Sequence, residues 1–223
     1  MKRFYFLVLL IGVIMASIFI RGFSKETNQV KLPPPKTESN FSLEKAIASR
    51  RSIRDFSSKP IKIEELSQIL WAAYGKNKYG KITTPSAGAL YPLKIYVICL
   101  NIEGLKKGLY LYQPLQHALI FISDFNLEKK LAKSCLGQKW VEEAAANIII
   151  CANYEITTSH YGERGKRYVQ IEVGHAAQNI YLQVEALGLG TVAVGAFIDA
   201  NVKNMLGLKE EPLYIMPIGK KNE

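Results

Sequence analysis

From Phe41 to the end of the chain, helix-like and strand-like segments are interspersed without a strict β–α–β rhythm. That order points to an α+β fold on a central, largely antiparallel sheet. Ser42 is placed to cap a helix carrying Leu43, Ala46 and Ile47 on one face, and Leu66, Ile69 and Leu70 recur at helical spacing over 63–73. Strands are predicted over 94–100, 109–112 and 118–122, the last two joined as a hairpin through Pro114. Helices over 125–135 and 138–145 precede an apolar strand at 147–152. The longest helix is predicted over 168–187; its faces mix polar and apolar residues, so it should be buried on more than one side, and Gly188 and Gly190 end it. A short strand at 191–194, a helix capped by Asp199 and running to Leu206, and a closing strand at 213–218 complete the reading. With 48% apolar and 22% charged residues, the 223-residue chain suits one globular domain plus a tail.

The tail is chemically distinct. Lys2 and Arg3 precede an uncharged, apolar stretch at 4–20 that Arg21 closes, so residues 1–23 are expected to be an uncleaved membrane anchor or a cleaved signal. Basic residues on both flanks leave the side of the membrane open. Residues 24–40, with Pro33, Pro34 and Pro35, read as an extended linker, and the folded domain is expected over 41–223. The net charge of +10 suits an anionic partner, but no RNP-like motif, zinc-finger spacing or sustained basic run points to nucleic acid. Cys99, Cys135 and Cys151 read as core thiols, and three histidines give no metal cluster.

Three irregular segments carry candidate chemistry. In Arg50-Arg51-Ser52-Ile53-Arg54-Asp55-Phe56, residues 50, 52 and 54 of an extended chain would share one face. That face could grip a phosphate through charge-assisted hydrogen bonds, or it could be a solvated helix end complementing the helix dipole. The stretch from Gly188 to Phe197 is small-residue-rich and reads equally as a tight turn or as a wall offering backbone N–H groups of Val194 to Ala196 to a flat heterocycle. No P-loop or Rossmann signature accompanies it. Pro85-Ser86-Ala87-Gly88-Ala89-Leu90-Tyr91-Pro92 is structureless yet half apolar, suited to packing against something planar or to a simple turn.

RRSIRDF, PSAGALYP, GLYLY, the run from Arg167 to Phe197 and the ending PLYIMPIGK, in this order over about 41–220, resemble the FMN-dependent nitroreductase superfamily and its SagB-type dehydrogenase-like branch. The resemblance implies a three-layer α/β/α sandwich, an intertwined homodimer and FMN at the dimer interface. It implies that Arg50 and Ser52, with Arg51 nearby, face the phosphate and ribityl chain. Arg54 would approach the flavin pyrimidine edge, where a guanidinium favours the negative charge of the reduced ring. Pro85, Ser86 and Ala87 would come from the partner subunit. Ala193, Val194, Gly195 and Ala196 would line the ring, with the Gly195 N–H toward N5, and Gln138 and Lys220 match positions near flavin and phosphate.

The branch's peptide-oxidising members carry a Lys-Tyr pair before the long helix. Here His160-Tyr161 stands there with Lys166 displaced, and Tyr161 is the candidate proton donor. His175 reads as a hydrogen-bonded core residue and His117 as solvent-facing. The expected activity is FMN-dependent oxidoreduction through flavin N5 by a ping-pong cycle, with NAD(P)H as donor and a small planar acceptor. The alternatives are azoline oxidation in a modified peptide and a flavin-binding sensor without turnover.

Overall fold

The computed structural model describes residues 28–124 and 126–222. Its frame is a seven-stranded sheet. In chain order the strands are β1 (Gln29–Lys31), β3 (Leu93–Cys99), β5 (Gly108–Gln113), β6 (Ala118–Ser123), β7 (Ala146–Ala152), β8 (Leu189–Thr191) and β9 (Glu211–Lys220); the short strands β2 (Ile61–Lys62) and β4 (Ile102–Glu103) pair separately and in parallel. The order across the sheet is β1-β6-β5-β3-β7-β9-β8, and every neighbouring pair is antiparallel.

Side-chain alternation makes this sheet the middle of three layers. From β3 and β7, Ile95, Val97, Ile148 and Ile150 pack with helices α2 (Ile63–Tyr74) and α6 (Arg164–Ala186). Tyr96, Ile98, Ile149 and Cys151 point the other way, toward α3 (Glu128–Ser134), α4 (Lys139–Glu143) and α7 (Asp199–Leu206). The remaining helices are α1 (Leu43–Ser49), capped by Ser42 accepting from the Lys45 N–H at 3.1 Å, and α5 (Tyr154–Tyr161). All three cysteines are buried and free, and burial pushes the Cys135 thiol up to about 12.

Several expectations change. The domain does not begin near Phe41, because β1 pairs with β6 and Leu32 is 3% exposed in the core, so much of the expected linker belongs to the fold. Backbone pairing and one apolar anchor outweigh the polar, proline-rich composition. The expected anchor at 1–23 lies outside the described residues; among those residues no helix is long and apolar enough to cross a membrane. The helix expected from 168 begins at Arg164, preceded by α5. His117 is not solvent-facing: its ring sits between the Tyr112 hydroxyl at 2.8 Å, Ser67 Oγ at 2.7 Å and the Pro33 carbonyl at 3.0 Å. His175 is not in the core but on the exposed side of α6. On α1 only Ala46 is buried, while Leu43 and Ile47 are 59% and 57% exposed.

Candidate functional site

The basic segment after α1 is held by its two apolar residues. Ile53 and Phe56 are buried, whereas Arg50, Arg51, Ser52, Arg54 and Asp55 are exposed. Two glycines make the seat: a Cβ on Gly190 would stand 2.7 Å from Ile53 Cγ2, and one on Gly219 would stand 2.8 Å from Phe56 Cγ. The Ile53 N–H donates to the Thr191 carbonyl at 2.8 Å, and the Ser57 N–H to the Lys220 carbonyl at 3.0 Å. Gly190, read as turn or cofactor wall, thus serves a close approach between chain segments. Ile53 and Phe56, three residues apart, are the two buried positions of the segment, and 50, 52 and 54 all stay exposed. Arg50 and Ser52 meet Tyr181, while the Arg54 guanidinium lies 5.6 Å from the centre of the Trp140 ring.

Tyr181, on the C-terminal half of α6, is the hub. Its hydroxyl accepts from the Ala193 N–H at 2.8 Å and is hydrogen-bonded to Ser52 Oγ at 2.9 Å; the Arg50 guanidinium sits over its ring, 5.3 Å from the centroid. One tyrosine therefore brings the basic segment to the small-residue segment after β8. In that segment Val194 cannot offer its N–H outward, because it donates to the Ile215 carbonyl at 2.8 Å and Val194 is 3% exposed. Gly195 and Ala196 are exposed, and no hydrogen bond among the described residues occupies their N–H groups. A Cβ on Gly195 would lie 3.3 Å from the Tyr214 ring, and the Gln138 side chain donates to the Ala196 carbonyl at 3.0 Å. Lys220 lies at the end of β9 with its ammonium committed to Glu65 at 2.8 Å.

Pro85, Ser86 and Ala87 run along α6 toward its N-terminal half: the Thr84 hydroxyl accepts from the Asn179 amide at 3.3 Å, and Gly88 reaches Tyr161. Ala87–Ala89 is a single 3₁₀ turn, and a Cβ on Gly88 would stand 2.8 Å from the Tyr161 hydroxyl. The Tyr161 ring packs edge-on against Tyr168, 5.1 Å between centroids. Tyr168 and Tyr181 share α6, so at 1.5 Å per residue Tyr161, packed on Tyr168, lies about 20 Å from Tyr181 along the axis. Lys166, the displaced lysine, pairs with Glu163 at 2.8 Å.

Sequence reasoning missed Tyr181, Trp140 and Tyr214. An aromatic inside a helix carries no local mark distinguishing a hub from packing, since its partners come from distant segments.

The charge balance fits an anionic ligand. Arg50, Arg51 and Arg54 take part in none of the ion pairs formed among the described residues, and Arg50 is joined through Tyr181 to Ala193, two residues before the exposed N–H of Gly195. Guanidiniums and a hydroxyl suit a phosphate, and free N–H groups on a small-residue strip suit the edge of a flat ring. Among the described residues no three His, Cys, Asp or Glu side chains gather to hold a metal.

The family model described as the nitroreductase family matches residues 47–220. A protein of Methanocaldococcus jannaschii named as a nitroreductase is 46% identical over 199 residues, covering 89% of this chain and 99% of the relative. A Bacillus subtilis protein named FMN reductase [NAD(P)H] is 25% identical over 189 residues, covering 78% of this chain and 61% of its own length. Among solved structures, one described as a nitroreductase from Ralstonia eutropha superposes with a TM-score of 0.78 at 27% identity, covering 90% of this chain and 92% of that one.

Proposed function

The chain belongs to the nitroreductase family and is an oxidoreductase, and from that premise we propose that it works with FMN bound between two copies of the chain. The observation that carries this reading is the joining of Arg50, Ser52 and Ala193 around Tyr181, which sets an unneutralised cationic grip beside a strip of small residues with unspent N–H groups. Support for the cofactor comes also from the relative named FMN reductase.

Arg50 and Ser52 would hold the phosphate and ribityl chain, with Arg51 adding charge, and Arg54, steadied on Trp140, would face the pyrimidine edge. Ala193 and Val194 back the ring, and Gly195 and Ala196 point N–H groups at it, the Gly195 N–H toward N5. Gln138 fixes the strip by holding the Ala196 carbonyl. Lys220, held by Glu65, supplies charge from the end of β9. Bound FMN would supply two-electron chemistry at N5, taking hydride from NAD(P)H and passing it to a small planar acceptor in a ping-pong cycle. Tyr161 would hold the proton at its hydroxyl for the acceptor. Pro85, Ser86, Ala87 and Tyr161 would come from the second copy; Tyr161 packs on Tyr168, about 20 Å along α6 from the Tyr181 that Arg50 covers. The exposed Leu43 and Ile47 of α1, with Ile171 of α6 at 47% exposure, offer an apolar surface for that copy.

The test is purification of the full chain, a visible absorbance scan, and anaerobic stopped-flow mixing with NADH or NADPH. Flavin bands that bleach within seconds and recover with a nitroarene or quinone are expected. A folded, colourless protein that takes up no FMN in excess would refute the cofactor. Bound flavin that neither nicotinamide reduces would refute the donor.

A further inference from the structure

Among the described residues Glu172 is the only acidic or basic side chain in the buried class, 2% exposed, and none of the ion pairs formed there includes it. Hydroxyls hold it instead. The Tyr74 hydroxyl donates to Glu172 Oε1 at 2.8 Å and itself accepts the Leu93 N–H at 3.2 Å. Ser86 lies beside the carboxyl, and its Oγ accepts the Tyr91 N–H at 2.9 Å. Burial keeps the carboxyl pKa above the ordinary value, opposed by the Ser86 and Tyr74 hydrogen bonds and by nearby His175.

The two relays end at either side of one loop. Ser86 and Tyr91 lie within it and Leu93 begins β3, so one carboxylate on α6 stands against a segment that also has its own turn bonds, the Ala89 N–H to the Ser86 carbonyl at 3.0 Å and the Leu90 N–H to the Ala87 carbonyl at 3.2 Å. That segment is unusual in its backbone. Gly88, Ala89 and Tyr91 have φ of 60°, 54° and 53°, and two of these three carry a Cβ. Such conformations persist only where the surroundings fix them. The same turn places Gly88 against the Tyr161 hydroxyl.

We propose that Glu172 is a positioning residue of the redox site: standing beside Ser86 and holding Leu93 through Tyr74, it sets the 85–91 loop that presents Pro85, Ser86 and Ala87 to the flavin of the other subunit and seats Tyr161 over Gly88. This rests on the FMN reading above. The carboxylate touches no reacting atom; it acts through the loop.

The experiment compares the full-length wild type with Glu172→Leu, Glu172→Gln and Tyr74→Phe. It follows FMN titration by flavin fluorescence, the visible spectrum and midpoint potential of bound flavin, and thermal unfolding of the apoprotein. Glu172→Leu should weaken FMN binding at least tenfold and move the flavin bands and potential. Glu172→Gln, which still accepts from Tyr74, should recover affinity to within about threefold of wild type. Tyr74→Phe cuts the arm to Leu93 at a residue given no contact with the cofactor and should weaken binding about fivefold, which decides the matter if Glu172→Leu does not fold. Wild-type affinity, spectrum and potential in Glu172→Leu, or in Tyr74→Phe where Glu172→Leu fails to fold, would overturn the positioning role while leaving the FMN reading intact. A wild type that takes up no FMN would overturn both.

Discussion

Gly190→Ala should detach the cationic segment from the site with a single methyl group. The added Cβ would stand 2.7 Å from Ile53 Cγ2, 3.0 Å from Ile53 Cβ and 3.2 Å from Phe56 Cε1, against a comfortable carbon contact of about 3.5–4.0 Å. Because one clash is with Ile53 Cβ, rotation of the side chain cannot relieve it, and the backbone must lift by about 1 Å. That lift would break the 2.8 Å hydrogen bond from Ile53 N–H to the Thr191 carbonyl. Overpacking costs about 1–3 kcal/mol and the lost bond about 0.5–1.5, offset by about 0.5–1 from replacing a strand glycine. The net is about 2 kcal/mol, a fall in Tm of roughly 4–8 °C for a chain of this size. FMN affinity should fall at least tenfold, since Arg50 and Ser52 move away from Ala193. Differential scanning calorimetry and flavin titration read both. Ile53→Ala in the same chain removes the clashing Cγ2, so the double variant should be less destabilised than the sum of the singles by about 1 kcal/mol. Gly190→Ala with unchanged Tm and FMN affinity would refute the idea that close packing on this glycine sets the grip.

Three other outcomes are expected. Tyr181→Phe leaves the half-buried Ala193 N–H and Ser52 Oγ without their shared partner, which should cost about 1–1.5 kcal/mol and several-fold in FMN affinity, measured by urea unfolding and flavin titration. Removing residues up to 37 takes away β1 and the buried Leu32, so the shortened chain should lose at least about 2 kcal/mol relative to one beginning at residue 28; equal stability would show that the arm is only a tether. Burial holds the His117 pKa below 6.5, so folding favours its neutral form. The stability this contributes is complete above about pH 6.5 and is lost as pH falls through the lower folded-state pKa, with a slope of at most about 1.4 kcal/mol per pH unit. His117→Gln should flatten the Tm-against-pH curve in that window.

The sequence announced the elements whose burial follows a local period. Leu66, Ile69 and Leu70 marked α2, and the apolar run at 147–152 marked β7, which is buried throughout. It hid β1, whose three residues pair with β6 beside a proline triplet and polar neighbours. It hid α5, whose mixed polar sequence buries only Thr157 and leans on Asn153, whose side chain accepts from the Glu155 N–H at 3.0 Å. At the site, Arg50, Ser52 and Ala193 were visible as unusual segments, but their meeting depends on Tyr181 and on two glycines that accept Ile53 and Phe56. Those are contacts across more than a hundred residues of chain. The same limit misplaced His117 and His175, since a lone histidine's surroundings are decided by whichever distant segments pack on it.

A crystal structure of the full-length chain grown with FMN tests the cofactor site outright. Two copies should enclose the cofactor, with the phosphate hydrogen-bonded to Arg50 and Ser52 and the ring lying along residues 193–196 with the 85–87 segment of the other copy against it. FMN bound elsewhere, or bound within a single copy without Arg50, would contradict it.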